Sequence, residues 1–70
     1  MMPLVLAETG KRNIIKRVGG SPAAKQHLEN LGFIPGECVT VINMLGGNVI
    51  VKVKESRIAI SSGMAQKIMV

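Results

Sequence analysis

The chain has 70 residues, with nine Lys/Arg against four Glu and a net charge of +5; a chain this short forms one domain, residues 1–70, and buries only about 60% of its unfolded surface. Cys38 is the only cysteine, which excludes an internal disulfide and a thiolate cage for zinc and suits a reduced, cytosolic setting. Asp, Trp and Tyr are absent, so the chain lacks the usual Asp of a phosphoryl-transfer metal, the aromatic walls of a polyproline groove and the stacking platforms of a single-stranded nucleic acid binder.

Met1 to Ala7 is apolar but short, has no basic region before it, and runs into the polar stretch Glu8–Arg17. It therefore reads as part of the fold rather than as a membrane span or signal peptide. Pro3–Ala7 predicts a short edge strand, with proline at its start where no ladder donor is needed. Arg12–Val18 predicts a strand ending at Gly19-Gly20. The adjacent Ile14 and Ile15 break its alternation, which a bulge or burial on both faces would explain. Ser21-Pro22 opens the one clear helix, about residues 22–31, with serine as N-cap and proline where its missing N–H costs nothing. Ala24, Leu28 and Leu31 share its apolar face, and Lys25 and Glu29 are spaced to pair.

Leu31-Gly32-Phe33-Ile34-Pro35-Gly36 ends this helix and turns the chain. Gly32 suits the left-handed C′ position, which makes Phe33 and Leu28 the apolar pair of a Schellman motif. Pro35-Gly36 makes a second turn. Cys38–Leu45 and Asn48–Lys54 then form a hairpin around Gly46-Gly47 or Gly47-Asn48, with Val39, Val41 and Leu45 on one face of the first arm. Val49, Val51 and Val53 share a face of the second arm, and Lys52 and Lys54 point to water. Glu55-Ser56 turns into Arg57–Ile60, Ser61–Lys67 holds one helical turn, and Ile68–Val70 is a last strand. Five to six short strands and one inserted helix predict a mainly β fold, a small barrel that closes off its edges.

No catalytic constellation is present. Cys38 as a nucleophile needs an orienting base, and nothing in the sequence places His27, the only candidate, beside it. His27 and Cys38 are also the strongest metal-type side chains. His27 and Glu29 do not face each other on a helix, and no ligand spacing is recognisable, so no metal site or cofactor is expected within one chain. A metal shared between two copies in a weak homo-oligomer stays open. The five methionines are scattered, as gap-fillers are. Lys52, Lys54 and Arg57 form a basic patch that is either a solvated face or a docking surface for an acidic protein face. A small basic barrel can also bind RNA through phosphates, although the missing aromatics and moderate charge weigh against it.

The run Leu28, Leu31-Gly32-Phe33-Ile34-Pro35-Gly36, Val39 and Val41 resembles the L-x-x-L-G-[apolar]-x-P-G-x-x-V-x-V core of the ferrous iron transport protein A family, FeoA. The turn Leu45–Val51 and the ending Arg57–Ile60 with Ala65–Val70 follow the same family order. The resemblance implies an SH3-like barrel with a helix after the second strand. It implies a cytosolic accessory protein of ferrous iron uptake, with the cytosolic GTP-binding part of the transporter FeoB as partner and no enzyme activity or small-molecule substrate. The chain would then sit in the cytoplasm, or at the inner membrane face through that partner. The barrel is also similar to the C-terminal domain of iron-dependent repressors, which keeps a metal-responsive regulatory domain as an alternative. The expected contacts are Leu45, Gly46 and Gly47 at the turn, Lys52, Lys54 and Arg57 on the face, and the elbow that begins at Phe33. Gly47-Asn48, Ser61-Ser62 and Met64 depart from the family pattern.

Overall fold

A computed structural model describes residues 1–70. Six strands and two helices appear in the order β1 (Arg12–Ile14), β2 (Arg17–Val18), α1 (Pro22–Asn30), β3 (Cys38–Leu45), β4 (Asn48–Val53), β5 (Ser56–Ser61), α2 (Ser62–Ala65) and β6 (Ile68–Met69). They form an antiparallel four-stranded sheet, β1-β3-β4-β5, and a two-stranded sheet, β2-β6. One apolar core lies between them. It takes Val39 and Val41 from β3, Val49, Val51 and Val53 from β4, Ile60 from β5, Leu28 from α1 and Ile68 from β6, with Phe33 fully buried among them. No helix is long and apolar enough to cross a membrane.

The stretch Arg12–Val18 is two strands rather than one. Ile14 and Ile15 simply alternate: Ile14 is 48% exposed and Ile15 is buried. The corner comes one residue later. The Ile15 amide donates to the Glu37 carbonyl at 2.9 Å, and the Lys16 amide to the Met69 carbonyl at 2.7 Å. Neighbouring residues thus bond in different directions, Ile15 to the residue before β3 and Lys16 to β6, so neither a bulge nor two-sided burial is needed.

The N-terminal segment is not a strand beyond its first residues. Met2 exchanges two hydrogen bonds with Val70, and Pro3 bridges Met69. Leu4–Leu6 then winds into a 3-10 turn, with the Ala7 amide donating to the Leu4 carbonyl at 3.0 Å. A period of three puts Leu4 and Ala7 on the buried side and leaves Leu6 exposed. An extended strand would have put Leu4 and Leu6 together.

The helix and elbow follow from their local chemistry. Ser21 Oγ accepts from the Ala24 amide at 3.2 Å, and Pro22 is the first helical residue. Gln26 and Asn30 form the hydrogen-bonded i, i+4 pair, where Lys25 and Glu29 had the spacing. At the other end Gly32 has φ +107°, the Phe33 amide donates to the Leu28 carbonyl at 3.0 Å and the Gly32 amide to the Glu29 carbonyl at 3.0 Å. This is the Schellman pattern. Pro35-Gly36 follows as a type II turn, with Gly36 at φ +97° and the Glu37 amide closing on the Ile34 carbonyl at 3.0 Å. The Gly36 amide also donates to the Ile15 carbonyl at 2.8 Å, which clasps the elbow to the corner between the sheets.

Two features of the β3-β4-β5 meander correct the expected pattern. A bulge at Ile42 shifts the β3-β4 register between Val41 and Asn43. One extra residue reverses the side-chain parity beyond it, so Leu45 leaves the face of Val39 and Val41 and is 57% exposed, while Met44 stands opposite the buried Val49. The next turn is Lys54-Glu55 rather than Glu55-Ser56, because β4 ends at Val53, which pairs with Ser56. Lys54 has φ +54°, the one non-glycine residue with positive φ.

Candidate functional site

The outer face of the four-stranded sheet carries a row of polar residues straight across all four strands. Arg12 on β1 pairs with Thr40 on β3, Thr40 with Lys52 on β4, and Lys52 with Arg57 on β5. At roughly 4.8 Å between strands, this row is roughly 14 Å long. It is in phase with solvent because the intervening Val39, Val41, Val51 and Val53 are in phase with the core.

Three of the row's four residues also line an open groove of about 430 Å³, which is bounded by Arg12, Gly36, Glu37, Cys38, Thr40, Lys52, Lys54 and Glu55. The elbow contributes Gly36 and Glu37, the turn after β4 contributes Lys54 and Glu55, and β1, β3 and β4 contribute the rest. Cys38 is half-buried there, and Arg12 Nη2 donates to its Sγ at 3.4 Å. That is the only side-chain hydrogen bond among the groove's charged groups. The left-handed backbone at Lys54 carries its side chain back toward the helix end, where a Cβ on Gly32 would lie 3.8 Å from Lys54 Cδ. The cap of α1 and the rim of the groove are therefore neighbours.

A model of the FeoA domain matches residues 2–70. The chain belongs to the FeoA family. A relative from Methanocaldococcus jannaschii, described as "Putative Fe(2+) transport protein A", is 40% identical over 70 residues, which is all of this chain and 85% of that one. The crystal structure of an iron uptake regulatory protein (FeoA) superposes with a TM-score of 0.86 at 28% identity, over 96% of this chain and 91% of the other. FeoA of Stenotrophomonas maltophilia, solved in complex with zinc and described as a procaryotic SH3 domain protein, gives a TM-score of 0.85 at 23% identity over 99% of this chain and 88% of that one. That last likeness is one of fold. The fold is the SH3-like barrel, here with six strands and α1 inserted after β2.

Within this FeoA domain the residues singled out from sequence fall into three places. Lys52 and Lys54 line the groove, and Arg57 stands next to Lys52 in the cross-strand row but outside the groove. Leu45, Gly46 and Gly47 are at the exposed hairpin tip, and Asn48, where β4 leaves that tip, is four residues or roughly 13 Å along the strand from Lys52. They form a second, separate surface. The family-typical run Leu28, Leu31, Gly32, Phe33, Pro35 and Gly36 is the cap and elbow, and only Gly36 of it reaches the groove. Gly47-Asn48 sits on the hairpin tip, Ser61 caps α2 by accepting from the Met64 amide at 3.2 Å, and Met64 packs against the core.

Arg12, Thr40 and Glu55 entered no sequence argument for a site. Arg12 is separated from Thr40 by β2, α1 and the elbow, and its pairing with β3 is not a hairpin. The signal present was parity: Arg12 alternates in phase with the exposed Ile14 and out of phase with the buried Ile15. Cys38 stands beside Arg12, and His27 lies exposed on α1 away from the groove. No three of the His, Cys and Glu side chains converge.

Proposed function

We propose that this chain is an accessory of ferrous iron uptake that works by docking on the cytosolic GTP-binding part of the transporter FeoB, at the cytoplasmic face of the membrane. Family membership over residues 2–70 supports the iron-transport setting. The observation that carries the docking reading is the row Arg12–Thr40–Lys52–Arg57, three exposed cations and a half-buried threonine on a sheet whose other face is the core. Such a face speeds and orients encounter with an acidic protein surface. The hairpin tip offers a second contact of different character, with Met44 and Leu45 exposed beside Gly46-Gly47. The chain acts in this reading by binding, with no bond made or broken.

The test is an NMR titration of the labelled chain with the isolated cytosolic domain of FeoB, with and without guanine nucleotide. Shifts localised to Arg12, Thr40, Lys52 and Arg57, or to the hairpin tip, are the expected result. An unchanged spectrum at high domain concentration overturns the reading. A short structured RNA is the control: salt-sensitive shifts with RNA and none with the domain reassign the basic row to phosphate contacts.

A further inference from the structure

The geometry points to the Arg12–Lys52 groove as a seat for an extended acidic segment of a partner protein, with its carboxylates set along the cross-strand row. This deepens the docking reading above and rests on it for the partner, although the groove's ligand chemistry is argued from the chain alone.

Of the groove's three cations, Lys54 stands on the turn after β4, and the other two lie on the cross-strand row. Arg12 and Lys52 flank Thr40 from the strands on either side, and Arg57 continues the same line on the next strand. Their backbones span roughly 14 Å. In an extended segment, side chains on one face recur about every 7 Å, so acidic residues at alternate positions i, i+2 and i+4 cover the same length. Thr40, in the middle of the row, offers a hydroxyl donor to a carboxylate or to the segment's backbone.

Two other anionic ligands fit less well. A compact phosphate is usually cradled by convergent backbone amides. Here the Gly36 amide is bonded to the Ile15 carbonyl at 2.8 Å and the Glu37 amide to the Ile34 carbonyl at 3.0 Å, so the elbow has neither of them to give. Glu37 and Glu55 also stand in the groove wall and would oppose a concentrated charge. A nucleic acid would want a ring to stack on, and the lone aromatic, Phe33, is fully buried. Carboxylates spread along a peptide can keep to the cationic row and away from Glu37 and Glu55.

Cys38 makes the groove measurable. It is the only cysteine, it is half-buried in the groove, and Arg12 donates to it. A segment seated on Arg12 covers the thiol and slows its alkylation by iodoacetamide, a neutral reagent. The full-length chain is incubated with an acetylated, amidated Glu-Ala-Glu-Ala-Glu peptide, with the Lys counterpart, or with inorganic phosphate, all at matched ionic strength. NMR amide shifts are followed in parallel.

The expected result is slower alkylation of Cys38 and shifts at Arg12, Cys38, Thr40, Lys52 and Arg57 with the glutamate peptide only. Arg12→Gln and Lys52→Gln each weaken that peptide's binding about fivefold to tenfold, the loss of one charge-assisted contact. Both sites are exposed, so the variants keep the native spectrum elsewhere. Equal protection by phosphate, no protection by the glutamate peptide, or protection that survives both variants overturns the inference. The two readings fail separately. If the transporter domain binds Arg12→Gln and Lys52→Gln as tightly as the parent chain, docking stands on another surface and the groove is not the transporter's seat. If the peptide protects Cys38 but the transporter domain does not bind, the seat stands and the partner is another.

Discussion

Phe33 and Leu28 are joined twice: the Phe33 amide donates to the Leu28 carbonyl at 3.0 Å, and both side chains are fully buried in the same core. Gly32 lies between them at φ +107°. The space around it is ordinary, with the nearest atoms to a Cβ at 3.8 Å or more. The cost of a side chain there is therefore conformational. Gly32→Val places a β-branched residue in the left-handed region and is expected to cost about 2 kcal/mol. For a chain of this size that lowers Tm by roughly 8 °C or more. Gly47→Ala is the control, since Gly47 has open space around it and no positive φ, and its midpoint stays within about 0.5 kcal/mol of the parent. Equal melting of Gly32→Val and parent contradicts the cap.

The bulge at Ile42 makes a prediction opposite to that of simple alternation. Strict period-2 reading groups Leu45 with Val39 and Val41, so all three would be core. With the bulge, Leu45 faces solvent and Val41 is fully buried. Leu45→Ser is expected to change the urea midpoint by less than about 0.5 kcal/mol, whereas Val41→Ala costs about 2 kcal/mol through lost burial and the cavity left behind. Equal costs at both positions would place Leu45 inside and remove the bulge.

Where a feature depends on a few consecutive residues, it could be read from the sequence. Ser21-Pro22 at the helix start, Gly32 at its end and Pro35-Gly36 at the elbow each impose a local hydrogen-bond or φ requirement that few residue types satisfy. The valines of β4 could be read for the same reason, because alternation is a local signal. What was not legible depends on partners distant in sequence. Ile42 becomes a bulge only because Ile50 and Val51 meet the strand on either side of it. Arg12 joins Lys52 only because β1 reaches back to β3, and a non-hairpin pairing has no turn to announce its register. The groove was thus half visible, with Lys52 and Lys54 found and Arg12 and Thr40 missed. The N-terminal 3-10 turn was hidden because its short apolar run suits either period.

The two serine caps differ in what depends on them. Ser21 and Ser61 accept from Ala24 and Met64 with the same 3.2 Å geometry. Ser21 starts a nine-residue helix that carries the buried Leu28, whereas Ser61 starts a four-residue turn between β5 and β6. Ser21→Ala is expected to cost about 1 kcal/mol, and amide exchange should quicken along α1 while the sheet is unaffected. Ser61→Ala should show its effect at the β2-β6 pair instead, since α2 sets the approach of β6. Uniform loss of protection in both variants would mean that the elements do not open separately.

Lys54 separates folding from binding. A lysine at φ +54° is held in a conformation that costs L-residues roughly 1 kcal/mol. Asn tolerates the left-handed region better than Lys and removes one cation from the groove. Lys54→Asn is therefore expected to raise stability by about 0.5 kcal/mol and at the same time to weaken docking of the acidic partner, mainly by slowing association at low salt. Stopped-flow association at two ionic strengths, beside a urea melt, reads both effects on one variant. A variant that is more stable and binds unchanged would make the strained lysine an accident of the turn. A variant that is less stable would mean that the Lys54 stem, lying over Gly32, contributes more by packing than its backbone loses to strain.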